Sequence, residues 1–117
     1  MSWLSHGPRT KVDAHEALEL LKGDAVLIDV READEWRAGH APIATHIPLS
    51  RVGTAMKRLP QGRPVIVVCR SGRRSSNAVN DLRRAGYDAL NLSGGMHAWQ
   101  QAGGAVVREG GNPGMVI

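Results

Sequence analysis

The run Val65-Ile66-Val67-Val68-Cys69-Arg70-Ser71-Gly72-Arg73-Arg74-Ser75 decides the fold. Four β-branched apolar residues end in the chain's only cysteine. A polar, glycine-containing loop follows, and then a helical pattern in which Ala78, Val79, Leu82 and Ala85 share one face, with Gly86 as its stop. A buried strand that empties through a loop into a helix places Cys69 at the C-terminal edge of a sheet, where open α/β sheets bind ligands. Backbone N–H groups of the loop and first helical turn then point at the sulfur, and Arg70, Arg73 and Arg74 add positive charge. Both effects favour thiolate, the nucleophilic form of cysteine. Cys69 is therefore the candidate catalytic residue. The alternative, a buried structural cysteine, gives no reason for the flanking glycine and arginines.

Elsewhere the pattern alternates between strand and helix. Asp13 caps a helix carrying Ala14, Ala17, Leu18 and Leu21, with Glu16 three residues later and Gly23 as the stop. Ala25 to Val30 is a nearly continuous apolar run, as in a parallel strand covered on both faces. Glu32 to Ala38 is a short helix carrying Trp36, and 41–49 is an irregular connection. Ser50 caps a helix reaching about Leu59, and Pro60-Gln61-Gly62 turns the chain. Ala89 to Leu92 is a further strand, Ser93-Gly94-Gly95 a tight turn, and Met96 to Ala102 a helix with Trp99. Trp36 and Trp99 are expected in the core. The sum is an α/β domain of three layers, a central, mainly parallel sheet flanked by helices. A loose lead-in spans 1–11, where Trp3 and Leu4 dock on the body. The folded unit spans 12–107, and 108–117 is a flexible tail in which only the preceding Val106 and Val107 pack.

The 117 residues suffice for one domain with a real core. Hydrophobic residues make up 42% and charged residues 22%, within the ordinary globular range. No apolar run reaches membrane-span length, and Met1 to Arg9 has no secretory h-region. A single cysteine excludes an intrachain disulfide and fits a reducing, cytoplasmic compartment. The net charge of +4 and pI near 10 raise nucleic acid as a partner. Acids and bases are interspersed and aromatics at 3% leave no stacking platforms, so nucleic acid is not an expected partner; without an apolar span, neither is a membrane. The positive charge between Arg70 and Arg84 is a local field for a small anion; Arg83 and Arg84 face solvent. His6, His15, His46 and His97 have no metal-ligand spacing, so no metal is expected; His40 after Gly39 makes a structural hydrogen bond.

Three ordered motifs carry a family resemblance. Leu27-Ile28-Asp29-Val30-Arg31-Glu32 runs on through Trp36 to Gly39-His40; Val68-Cys69-Arg70-Ser71-Gly72-Arg73-Arg74-Ser75 follows; Leu92-Ser93-Gly94-Gly95-Met96-His97-Ala98-Trp99 comes last. Together they resemble a single-domain rhodanese, the thiosulfate sulfurtransferase family, from about Val12 to Val107. The resemblance implies a persulfide mechanism. The Cys69 thiolate takes the sulfane sulfur of thiosulfate or a persulfide donor, and a thiophilic acceptor, cyanide or a thiol, removes it. It implies no cofactor. Family members often read Ile-Pro-Gly-Ala after Gly-His; here Ala41-Pro42-Ile43-Ala44 stands, which bears on a turn rather than on the nucleophile.

Within this frame Arg70, Ser71, Gly72, Arg73 and Arg74 are the expected substrate-binding residues. One or two of the arginines contact the anionic donor, and the others face water. Gly72 permits backbone angles that a β-carbon resists. Asp29 and Arg31 form either a charged bracket supporting the loop or a surface pair, and Ser75 is a helix cap. Related phosphatases and arsenate reductases use a Cys-x5-Arg ring around a tetrahedral oxyanion. Cys69 to Arg74 is the shorter Cys-x4-Arg, and Val68 stands where those phosphatases carry His. The shorter ring suits a single sulfur. A different reading is a sulfur-relay or sensing module that docks on a partner protein and draws sulfur from a persulfide.

Overall fold

The computed structural model describes residues 9–117. The docking expected of Trp3 and Leu4 lies outside them. In chain order the elements are β1 (Lys11–Val12), α1 (Ala14–Leu21), β2 (Val26–Asp29), α2 (Ala33–Ala38), β3 (Thr45–His46), α3 (Val52–Ala55), β4 (Pro64–Val68), α4 (Arg74–Arg84), β5 (Asp88–Leu92) and α5 (Gly95–Gln101). The five strands form one parallel sheet in the order β1-β5-β4-β2-β3.

β4 lies at the centre, and its side chains explain why. Val65 and Val67 pack on one face with Ala78, Val79 and Leu82 of α4 and Val52 of α3. Ile66 and Val68 pack on the other with Ala14 and Ala17 of α1 and Met96 and Trp99 of α5. All four are fully buried, so a continuous apolar run is required where helices cover both faces. From β2 the chain moves outward to β3; from β4 it moves outward the other way to β5. The gap between the C-terminal ends of β2 and β4 is thus a topological switch point, the usual ligand position in such sheets.

Several expectations change. β1 and β3 are two residues each, too short to leave a periodic signal. The single helix expected from Ser50 to Leu59 is one α-turn flanked by 3-10 turns at Leu49–Arg51 and Met56–Arg58, and Ser50 makes no side-chain cap. Trp99 is buried, with its Nε1 donating to the Ala105 carbonyl. Trp36 is not in the core: it is half-buried and stacks on His40 and His46, with ring centroids 3.6 and 4.8 Å away. α2 is a surface helix with no buried residue, so its aromatic packs sideways onto the 40–46 connection. Ala85 is exposed rather than on the packed face of α4. Arg83 docks inward, Nη1 donating to the Ala89 carbonyl.

The stretch 108–117, expected as a flexible tail, is hydrogen-bonded to the body. Val107 bridges His40 in antiparallel fashion, Gly114 N–H donates to the Val106 carbonyl, and Met115 N–H donates to the Ala38 carbonyl. Gly39 sits under this segment. A β-carbon there would lie 2.5 Å from the Met115 nitrogen, so the glycine serves close backbone approach rather than only helix termination.

Candidate active site

Cys69 is the first residue after β4, and it exposes no surface. Its Sγ accepts hydrogen bonds from the Gly72 amide at 3.1 Å, the Ser75 amide at 3.4 Å and the Ser75 hydroxyl at 3.3 Å. Burial pushes the Cys69 thiol up. The Ser75 hydroxyl and the amides of Ser75, Gly72 and Ser71 pull it down by more, leaving it below the ordinary thiol value. These donors stabilise the thiolate, and the Arg74 guanidinium is near enough to feel its charge.

The loop is shaped from behind. The α5 N-terminus takes up its first two carbonyls, with Met96 N–H donating to Cys69 O at 2.8 Å and His97 N–H to Arg70 O at 3.4 Å. Carbonyls turned toward α5 leave the following amides free to face the sulfur. Gly94 and Gly95 both have positive φ. A β-carbon at Gly95 would lie 2.4 Å from Cys69 O and 2.5 Å from Arg70 C, so only glycine admits the loop here. Gly72 has φ of 102°, and a β-carbon would stand 3.3 Å from Gly94 N.

Ser75 is not the helix cap that the sequence suggests. Arg73 occupies the N-cap position of α4 without a side-chain bond, and Ser76 Oγ donates to the Arg73 carbonyl. Ser75 is fully buried between Sγ and Asn91 Oδ1 of β5. The Asn91 amide is oriented by its Nδ2, which donates to Gly72 O at 2.9 Å. A hydroxyl has one proton. That one proton is shared between two acceptors, Sγ and Asn91 Oδ1.

The three loop arginines differ. Arg74 forms a bidentate pair with Glu35 of α2, both N–O distances 2.7 Å. Hydrogen bonding to Arg74 holds the Glu35 carboxyl below the usual carboxylate range, and the same bond raises Arg74. Arg70 donates through Nε to the Ile117 carbonyl at 2.8 Å. Arg73 is exposed, and among the described residues its side chain has no hydrogen-bonding partner. Ser71 is exposed at the rim.

Asp29 and Arg31 end β2 beside Val68, and both are fully buried rather than a surface pair. Arg31 Nη2 and Nε reach the carboxylate at 2.7–3.1 Å, and Nη2 also donates to Gly39 O at 2.7 Å. These bonds run to the 39–40 connection, not into the cysteine loop. Arg31 also holds the connection through its carbonyl, which accepts from His46 Nε2 at 2.8 Å. His40 makes its structural bond through Nδ1 to the Trp36 carbonyl.

Sequence reading missed Asn91 and Glu35. A lone polar residue in the apolar strand Ala89-Leu90-Asn91-Leu92 was the available signal for the first. The Glu32–Glu35 capping box, present here, marks Glu35 only as part of a helix start.

A parallel sheet that offers one cysteine in an amide cradle at its switch point defines a single-cysteine α/β domain of the three-layer kind. The chain belongs to the rhodanese-like domain family, whose profile matches residues 13–102. It is 36% identical over 92 residues to the Bacillus subtilis protein named "Putative sulfurtransferase YtwF", covering 79% of this chain and 82% of that one. It is 40% identical over 87 residues to "Uncharacterized protein slr1261" of Synechocystis, covering 73% of this chain but spanning only about half, 49%, of that relative. The crystal structure of a rhodanese-related protein from Thermoplasma volcanium superposes with a TM-score of 0.78 at 30% identity, covering 86% of this chain and 99% of that one.

Proposed function

We propose that the chain is a sulfurtransferase that moves a sulfane sulfur from thiosulfate or a persulfide donor to cyanide or a thiol, through a persulfide on Cys69. The observation that carries this reading is the convergence of three hydrogen bonds on one sulfur at the switch point of the sheet. In the first step the Cys69 thiolate attacks the outer sulfur of thiosulfate. An Sγ–S bond forms, the S–S bond of the donor breaks, and sulfite leaves with the electron pair. In the second step the acceptor attacks the outer sulfur and Sγ departs as thiolate. The same amides favour Sγ as the attacking group and as the leaving group, which a two-step transfer requires of one atom. The printed name of the Bacillus relative agrees with this class of activity.

Arg74 is neutralised by Glu35, and the Nε of Arg70 is engaged by Ile117. That leaves Arg73 and the outer guanidinium nitrogens of Arg70 to recruit a dianion. The occupied fork of Arg74 also counts against a phosphatase, whose ring arginine must be free to clamp an oxyanion. Cys69 exposes no surface itself, and the residues at its rim, Ser71 and Arg73, are exposed. Thiocyanate formation from thiosulfate and cyanide should be measurable and absent in Cys69→Ser. A panel of thiosulfate against glutathione persulfide separates turnover of the small anion from a sulfur-relay module, which would use only the persulfide. Turnover that survives Cys69→Ser would defeat the proposal.

A further inference from the structure

The buried polar side chains among the described residues fall into two couples. Asp29 pairs with Arg31, and Ser75 with Asn91. Asn91 is the one polar residue in the buried part of β5, Ala89 to Leu92. It pairs with Val67 of β4 and shares with Ala89 the sheet face that α4 covers. A buried amide is costly unless its hydrogen bonds are made. Both ends of this one are committed to the cysteine loop: Nδ2 donates to Gly72 O at 2.9 Å, and Oδ1 accepts from Ser75 Oγ.

The Gly72 carbonyl decides which way the amide lies. A carbonyl only accepts, so the NH2 end must face it, and the other end presents an oxygen to Ser75. The Ser75 hydroxyl thus has one proton and two acceptors, Oδ1 and Sγ at 3.3 Å. Among the described residues no other donor reaches Oδ1. An anionic sulfur is the stronger claimant for that proton, and a neutral sulfur the weaker one. Asn91 therefore favours the neutral sulfur, since ionisation of Cys69 draws the proton away from a buried amide oxygen.

We propose that Asn91 is a positioning residue that competes with Sγ for the Ser75 proton and so tempers the cradle. Thiolate nucleophilicity falls as the thiolate is stabilised, and an attacking sulfur held too firmly is a poor one. With the Gly72 and Ser75 amides already on Sγ, a competitor for the third donor keeps the sulfur reactive. The purpose of this tempering rests on the sulfurtransferase reading; the competition for one proton does not. Other charged and titratable groups surround the cysteine. Arg70, Arg73 and Arg74 lie on its own loop and α4, with Glu35 of α2 bound to Arg74. The closed Asp29–Arg31 pair ends β2, with His46 bonded to the Arg31 carbonyl. Arg51 stands exposed before α3 and His97 exposed on α5. None of these donates to Sγ, and the variants below alter none of them.

The test is the reaction of the whole chain with hydroxyethyl disulfide, a neutral reagent, followed by mass spectrometry across the thiol titration range. The Cys69 thiolate attacks one reagent sulfur, an Sγ–S bond forms, the reagent S–S bond breaks and mercaptoethanol leaves as its thiolate. In Asn91→Leu the Ser75 proton has only Sγ to serve. The midpoint should fall by about half to one pH unit, and the limiting rate above it by about two- to threefold. The fall in midpoint should vanish when Asn91→Leu is combined with Ser75→Ala. An Asn91 that merely braces the loop gives the opposite sign, because a loosened loop loses donors to Sγ. A midpoint that rises or stays fixed in Asn91→Leu, or a fall that persists without the hydroxyl, would overturn the proposal. The native chain offers a second readout that does not depend on the folding of Asn91→Leu. The Asn91 side-chain amide resonances should titrate with the Cys69 midpoint and lose most of that response in Ser75→Ala. An equal response in both would mean that the amide senses the sulfur charge through space, and the competition would fall. A lowered midpoint without sulfur loading of Cys69 from thiosulfate would overturn the sulfurtransferase reading and keep the role of Asn91; loading with a raised midpoint would do the reverse.

Discussion

β2 and β4 lie side by side, Asp29 in register with Val68, and each ends by delivering a charged group to the same sheet edge. They handle that charge in opposite ways. At the end of β2 the Asp29 carboxylate meets a guanidinium, and both groups are fully buried. At the end of β4 the Cys69 sulfur is hydrogen-bonded by two amides and a hydroxyl, and the Arg74 guanidinium feels its charge without bonding to it. An ion pair neutralises its members and locks them. An amide cradle stabilises an anion and leaves its charge available for attack. The difference teaches why one strand end is a closed ion pair and the next keeps a stabilised sulfur, although both carry arginines in sequence.

The comparison breaks most sharply at Arg31. Arg31→Met leaves Asp29 buried without its partner, and the expected cost is about 3–5 kcal/mol in urea unfolding. Replacing both, Asp29→Leu with Arg31→Met, should recover much of that loss. A single variant as stable as the native chain would show that the β2 end is not held by its ion pair.

A smaller effect is expected at the β4 end. Ser75→Ala removes the one hydroxyl proton that Sγ and Asn91 Oδ1 share, at a cost of about 1–3 kcal/mol. Its diagnostic readout is the pH dependence of Cys69 alkylation. The rate rises with pH as the thiolate forms. The native midpoint should lie below that of an ordinary thiol, near 8.5, because the hydrogen bonds outweigh burial. In Ser75→Ala the midpoint should move up. An unchanged midpoint would mean the hydroxyl does not act on the sulfur.

The Glu35–Arg74 pair is intermediate in kind, with side-chain exposures of 14% and 36%. Glu35→Gln should cost no more than about 1 kcal/mol. Because the carboxyl is held low by Arg74, its contribution is complete above the ordinary carboxylate range and is lost as pH falls through the lowered value. Native and variant stabilities should therefore converge in acid. Freed from Glu35, Arg74 should lower the thiosulfate KM a few-fold. A KM that stays fixed would remove Arg74 from the donor field.

What the sequence made legible was local. The apolar run of β4, the lone cysteine, the six-position span to Arg74 and the Gly94-Gly95 turn all lie within short windows, so periodicity and residue type suffice. The two-residue strands β1 and β3 exist only through pairing with neighbours and leave no pattern. Asn91 gains its role from the β4–β5 pairing, and Glu35 meets Arg74 across 39 positions. Gly39 looks like a helix stop, yet its neighbour is Met115, a contact no local window contains. Trp36 departs from its expected place for a related reason: aromatic character suggests a core, whereas the ring stacks on two half-buried histidines.

The central claim is that Cys69 itself carries the transferred sulfur. Thiosulfate with heavy sulfur in the outer position, incubated with the protein in the absence of reductant and followed by peptide mass mapping, tests it directly. The account predicts one heavy sulfur on the Cys69 peptide, none when the label is in the sulfonate position, and none in Cys69→Ser. Label missing from Cys69, or found there from the sulfonate position, would contradict it.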